Sequence, residues 1–147
     1  VQVIIDRLIP LARVITPNLP EAEILAGCHI TGEQDFDRIA RKLSDNGNVS
    51  VLLKAGHLDS ECLVDYFYNA EDGTMTRLPS KRVDTRNTHG TGCTLSSAFA
   101  AALAKGKDLT SAARSAKSYI EQAIISGAEY EIGGGHGPVN HFFCLSD

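Results

Sequence analysis

No apolar run in this chain approaches the roughly 20 residues of a membrane span, so a transmembrane helix is not expected. Nor is there an excess of positive charge. Fourteen basic residues against 18 acidic ones leave a formal net charge of −4, which offers no footprint for nucleic acid or an anionic bilayer. Aromatic residues make up only 6% of the chain. Tyr66, Phe67 and Tyr68 therefore read as a strand packing surface, not as a platform for stacking bases. The four cysteines, Cys28, Cys62, Cys93 and Cys144, contain no C-x-x-C pair, which removes the zinc-ribbon and thioredoxin readings. Scattered cysteines suit reduced thiols in a cytosolic protein, with Cys28, Cys62 and Cys144 as small buried apolar groups. Signal-peptide pattern, internal repeat and low-complexity linker are all missing. Methionine is nearly absent too: the only one is Met75, and the chain opens on Val1. That pattern is expected of an excised or truncated piece. What remains is ordinary. A length of 147 residues and 43% hydrophobic content suit one soluble domain, burying about 68–70% of its unfolded surface.

Hydrophobic spacing alternates between strand and helix. Residues 4–11 read as the tail of a helix and residues 12–16 as a short buried strand. Residues 20–26 form a short helix ended by Gly27. Asp35 is placed to cap a helix carrying Phe36, Ile39, Ala40 and Leu43 on one face, closed by Gly47. Residues 49–53 are apolar but for Ser50, as in a parallel strand covered on both sides. Residues 61–68 and 74–78 flank a turn signal at residues 69–73 and predict a hairpin, which residues 81–84 extend at the sheet edge. A buried helix is expected over residues 92–105, with Leu95, Ala98, Phe99, Ala102 and Leu103 apolar and small residues allowing close packing. Asp108 caps a last helix running to about residue 125 and ended by Gly127. The glycine-rich stretch 133–138 must be loop. The fold class is thus α/β, a mainly parallel sheet flanked by helices.

The most chemically suggestive stretch is His89-Gly90-Thr91-Gly92-Cys93, a glycine-rich turn that runs into the helix of small apolar residues. Glycines at a helix start let backbone amides crowd around an anion, and the helix dipole favours negative charge there. A thiol in the same turn is expected to carry thiolate character. An anion hole beside a base suits phosphoryl transfer, where positioning and charge stabilisation do most of the catalysis. The plain alternative is a helix with a glycine entry and a buried cysteine. His89, four residues before Cys93, raises a Cys–His nucleophile reading, but nothing supplies a third orienting group.

A second motif, Thr16-Pro17-Asn18-Leu19-Pro20-Glu21, follows the apolar pair Val14-Ile15. Asn18 suits an N-cap, Pro20 the first turn, and Glu21 the third position of a capping box. A carboxylate at a strand end can also hold a hydrated magnesium ion beside phosphates. Lys54 ends the central apolar strand, where a lysine either snorkels or meets an anion. In α/β sheets ligands bind outside the carboxyl ends of the strands. Residues 18–21, 54–57 and 90–92 all fall where a strand ends or a loop meets a helix. His136 and His141 have no carboxylate or cysteine at metal-ligand spacing, so a packing role in the C-terminal loop is expected.

Taken in order, residues 16–22, 52–57, 87–96 and 137–142 resemble the hydroxymethylpyrimidine (phosphate) kinases of thiamine biosynthesis, members of the ribokinase-like superfamily. Most of that superfamily carries Asp where this chain has Cys93. The cysteine form points to the pyrimidine kinases and to a related pyridoxal kinase branch. The resemblance covers essentially the whole chain but only the C-terminal portion of the family fold. It implies a ribokinase-like sheet lacking its N-terminal part, together with most of the pyrimidine pocket. Ala55 stands where the family often has glycine.

The resemblance also implies roles. Cys93 is the general base, with Gly90, Thr91 and Gly92 stabilising the transferring phosphoryl group. Lys54, Asn18, Thr85, Thr88 and Gly56 border the nucleotide, and Glu21 holds Mg2+ through water. ATP and Mg2+ are the implied cofactors and a small pyrimidine alcohol the implied partner, in the cytoplasm, without nucleic acid or membrane. Asn87 joins Thr85 and Thr88 in a hydrogen-bonded loop before the turn. A chain lacking the alcohol-binding wall is expected to turn over weakly or not at all, because transfer requires both reactants to be held in near-attack geometry. A cysteine-type pyridoxal kinase, and a non-catalytic fragment that self-associates through exposed sheet edges, are the alternatives.

Overall fold

The computed structural model describes residues 1–45, 48–55 and 62–145. They fall into two compact units, Val1–Pro79 and Ser80–Asp147.

In the first unit a π-helical turn, Ile4–Leu8, passes into a 3-10 turn, Ile9–Leu11. The helix tail expected over residues 4–11 is formed, but in π and 3-10 geometry. Pro10 lacks the N–H that an α-helix would need and its ring crowds the preceding turn. Strand β1 is Val14–Ile15, half-buried and shorter than the buried strand expected over residues 12–16. It pairs in parallel with β2, Ser50–Leu53, with Val14 opposite Ser50 and Ile15 opposite Val51. All of β2 is buried, Val51, Leu52 and Leu53 as apolar residues and Ser50 with its hydroxyl accepting the Ala70 amide at 3.0 Å.

Strand β3, Cys62–Asn69, lies antiparallel to β2, with Leu52 opposite Phe67. Strand β4, Thr74–Lys81, completes the order β1-β2-β3-β4. The β3–β4 turn is closed by local polar bonds. The Asn69 carboxamide donates to Asp72, the Asp72 carboxylate accepts from the Thr74 amide, and Gly73 takes φ 71°. The sheet is thus mixed: β2 runs parallel to β1 and antiparallel to β3, a pairing its apolar pattern did not announce, whereas the short polar turn after β3 returns the chain antiparallel as the hairpin signal predicts. Strand character stops at Lys81, so residues 82–84 do not extend the edge.

Helix α1, Leu19–Ala26, ends where Gly27 turns left-handed at φ 62°. Helix α2, Phe36–Ser44, buries Phe36, Ile39, Ala40 and Leu43 against Val51, Leu53 and Tyr66. Asp35 precedes α2 without capping it. Its carboxylate accepts from the Thr31 amide and hydroxyl and pairs with Arg38 at 2.7 Å. Closure by Gly47 lies outside the described residues, as does the start of the hairpin at Glu61.

The second unit is built on two helices, α3, Thr91–Ala104, and α4, Leu109–Gly127, which pack together. Leu95, Phe99 and Ala102 of α3 and Ala112, Ala113, Ala116, Ile120 and Ala123 of α4 are buried. The carboxylate of Asp108 accepts the Ser111 amide at 2.9 Å and caps α4. Gly127 is the last helical residue of α4. A Cβ there would stand 2.8 Å from the Asn140 amide, so the C-terminal loop lies directly on the helix end. Residues 133–138 form no regular element, as expected, although Pro138 bridges to His89.

Candidate active site

Two strand ends meet in the first unit. The Lys54 amide donates to the Pro17 carbonyl at 2.9 Å, and Asn18 and Lys54 form an isolated parallel bridge. Residues just past β1 and β2 therefore emerge side by side at the carboxyl ends of a parallel pair. Asn18 caps α1 through its carboxamide, which accepts the Glu21 amide at 2.8 Å. Glu21 Oε2 in return accepts the Asn18 amide at 2.8 Å. The capping box is thus complete, a device worth about 1 kcal/mol. It uses one carboxylate oxygen of Glu21 and leaves Oε1 of an exposed side chain outside the box. A single exposed carboxylate oxygen fits a hydrated magnesium ion held through water. No group of three or more metal-ligating side chains occurs among the described residues.

Ala55 is buried, and its amide donates to the Asp65 carboxylate at 3.0 Å, fixing the chain just after Lys54. The spacing does not announce Asp65, because the bond spans two strands. Gly56, expected near the nucleotide, and His57, which closes the 54–57 stretch, lie outside the described residues.

The second unit holds the glycine turn. Gly90 is the N-cap of α3 at φ 85°, a left-handed conformation that glycine adopts without penalty, and no side chain caps the helix. The Thr91 amide reaches the Thr88 carbonyl at 3.3 Å, and the Thr94 amide the Gly90 carbonyl at 2.9 Å. By helix geometry the amides of Gly92 and Cys93 have no acceptor within the helix, which is the arrangement an anion needs. Cys93 is exposed, so the buried-cysteine alternative does not hold. Cys144 is exposed as well, contrary to its expected burial.

The loop leading to this turn is anchored from behind. Asn87 is buried, and its Nδ2 donates to the carbonyls of Gly127, Ala128 and Tyr130. The Thr85 hydroxyl donates to the Ala128 carbonyl at 2.9 Å and accepts the Asn87 amide. Both side chains of Asn87 and Thr85 thus tie the loop to the end of α4. Thr88 is exposed beside the turn.

A groove of about 570 Å³ opens at Cys93, within the ordinary range for a small-molecule site. Cys93, Ser97 and Ala101 of α3 and Lys105 at its C-cap line it at intervals of four, so it follows one face of the helix for about 18 Å. Lys107, Tyr119 and His141 complete the walls, and Lys107 Nζ donates to Ser115 at 2.6 Å. The small residues of α3 therefore leave room for a ligand on one face, whereas the sequence suggested a buried helix whose small residues serve close packing. Ala100 and Ala101 are exposed. His141 was expected only to pack. It lines the groove, and its Nε2 lies 2.9 Å from the Thr94 hydroxyl. His136 does pin a loop, through Nδ1 to the Arg86 carbonyl.

The fold is that of ribokinase-like kinases. The pyridoxal kinase of Bacillus subtilis, solved as an ADP complex, is similar with a TM-score of 0.87 and 37% identity, over 99% of this chain and 54% of that one. A phosphomethylpyrimidine kinase of Clostridium difficile is similar with a TM-score of 0.67 and 38% identity, over 84% of this chain and 48% of that one. A family model described as phosphomethylpyrimidine kinase matches residues 1–140, and the chain belongs to that family. The hydroxymethylpyrimidine/phosphomethylpyrimidine kinase of Rhizobium meliloti is 46% identical over 143 residues, which is 97% of this chain and 53% of the relative. The chain spans about half the length of the curated relatives it matches.

Proposed function

We propose that this chain is the nucleotide-side portion of an ATP-dependent kinase acting in thiamine biosynthesis. The reaction transfers the γ-phosphoryl of ATP to the hydroxymethyl of 4-amino-5-hydroxymethyl-2-methylpyrimidine, and then phosphorylates the monophosphate. The observation that carries this reading is the uncapped start of α3. A left-handed Gly90 opens it, and an exposed Cys93 stands at the mouth of a groove.

In this mechanism Cys93 takes the alcohol proton as its oxygen attacks phosphorus. The turn Gly90-Thr91-Gly92 stabilises charge on the transferring group, through the amides of Gly92 and Cys93 that it leaves without an acceptor in the helix. Lys54 contacts phosphate, and Asn18, Thr85, Thr88 and Gly56 border the nucleotide, Thr85 through the loop it anchors. The groove between Cys93 and Lys105 takes the nucleoside. Glu21 would hold Mg2+ through water, and the ion, when bound, neutralises phosphate charge. The setting we assign is the cytoplasm.

We assign weak or no turnover to the 147-residue chain by itself, because it spans about half of its relatives. The test is the chain incubated with ATP, magnesium and the pyrimidine alcohol, beside nucleotide titration. Measurable ADP binding with little transfer supports the assignment. Turnover equal to that of a family-length enzyme overturns the fragment part, and an absence of nucleotide binding overturns the kinase reading. In a family-length protein containing this chain, Cys93→Ala should abolish transfer while ATP still binds.

A pyridoxal substrate is the second reading, favoured by the similarity to the Bacillus subtilis pyridoxal kinase. Relative rates on the two alcohols decide between them. Self-association of the chain through exposed sheet edges is the remaining alternative, which its mass in solution would report.

A further inference from the structure

A polar contact at the mouth of the groove is made by a residue from the far end of the unit. We propose that His141 is a positioning residue for the phosphate-binding turn, acting through Thr94. The inference rests on the kinase reading and deepens it.

Thr94 is buried, and its hydroxyl donates to the Gly90 carbonyl at 2.8 Å. A hydroxyl has one proton. With that proton given to Gly90, the oxygen can only accept from His141 Nε2, 2.9 Å away. The imidazole is therefore the Nε2–H form on this side. The His141 backbone is held in turn, because its carbonyl accepts the Tyr119 hydroxyl at 2.8 Å. The Gly90 carbonyl also receives the Thr94 amide at 2.9 Å. Two donors fix the peptide plane between Gly90 and Thr91, at the one residue of the turn with a left-handed φ.

The orientation of that plane sets where the next amides point. A chain of bonds thus runs from α4 through His141 and Thr94 to the N-cap of α3. It stiffens the turn before a ligand arrives, which lowers the ordering cost of binding. His141 does not need to touch the phosphate to do this.

The test uses the 147-residue chain and ADP with magnesium, followed by calorimetry. His141→Ala is expected to weaken ADP binding by about 3- to 10-fold, the worth of one ordinary hydrogen bond. His141→Gln, which keeps a donor at the Nε2 position, should stay within about twofold of the parent. Thr94→Val removes the hydroxyl at nearly constant shape. It should cost at least as much as His141→Ala, since the Gly90 bond goes too, and the double variant should be no weaker than Thr94→Val alone. Additive losses, or no rescue by glutamine, overturn the proposal.

A ligand-free readout stands beside these. Nitrogen-15 spectra should show His141 as the Nε2–H tautomer and lose that preference in Thr94→Val. An Nδ1–H tautomer overturns the link to Gly90 even if a variant fails to fold. If the parent chain binds no ADP, the kinase reading falls, while the tautomer still decides the positioning contact.

Discussion

Asn87 offers the sharpest test of how the loop before the glycine turn is held. The side chain is 2% exposed. Its two amide protons serve three carbonyls, Gly127 at 2.9 Å, Ala128 at 3.2 Å and Tyr130 at 2.8 Å, so one bond is shared. Two of the acceptors have other donors. Ala128 also receives the Thr85 hydroxyl, and Gly127 the Tyr130 amide. Asn87→Ala therefore loses roughly two net hydrogen bonds at about 1 kcal/mol each. The truncation leaves a small void as well, bringing the expected loss to about 2–4 kcal/mol.

Asn87→Asp keeps the volume but turns the donor into an acceptor facing those carbonyls. A buried, mismatched charge raises the cost to about 3–5 kcal/mol at neutral pH. The signature is the order of the losses, Asp larger than Ala, in urea unfolding of the chain. It has a pH counterpart. Burial beside carbonyls favours the protonated form of the introduced carboxyl, which can donate again, so the Asp penalty should shrink as pH falls. If the Asp change costs less than the Ala change at neutral pH, or if both cost under about 1 kcal/mol, this account of the loop is wrong.

Other outcomes follow from the same geometry. Gly137→Ala should destabilise the second unit, because a Cβ there would collide with the Asn87 carboxamide; a melting temperature equal to the parent's would contradict this. Gly90→Ala meets no neighbour within 4 Å, so its cost is purely that of a left-handed φ, about 1–2 kcal/mol, and Gly90→Asn should recover part of it. Asn18→Ala should lose about 1 kcal/mol and Asn18→Asp little, as read by chemical denaturation, since only the former removes the cap acceptor. Asp35, Asp72 and Asp108 all have pKa values held below the ordinary carboxylate value, by the Arg38, Thr74 and Ser111 side chains foremost. A depressed folded pKa gives stability that is complete above the unfolded value, near 4, and is lost as pH falls through the folded one. Thermal midpoints measured down the acid range should therefore drop below about pH 4, and a flat profile would refute the three local networks.

The parts of this protein that sequence reasoning reached are the ones whose physics is local. Asn18 and Glu21 form their capping box because the donor and acceptor lie three residues apart on the first turn. Asp108 caps α4 for the same reason, and Gly27 and Gly90 sit where a left-handed residue must. Asp35 had the same spacing and failed as a cap, because Thr31 and Arg38, equally local, offered its carboxylate better partners. Beyond the range of a single turn, periodicity stops carrying the answer. The small residues of α3 suit tight packing and an open groove equally well, and only the position of α4 decides which face is covered. Mixed pairing in the sheet likewise depends on which strands meet, not on how apolar each one is. The contact between His141 and Thr94 spans 47 residues, and no spacing rule connects them. A glycine entry to a helix is therefore legible in a sequence because backbone and glycine build it. The walls that make a turn selective come from distant residues, and only the folded chain reveals them.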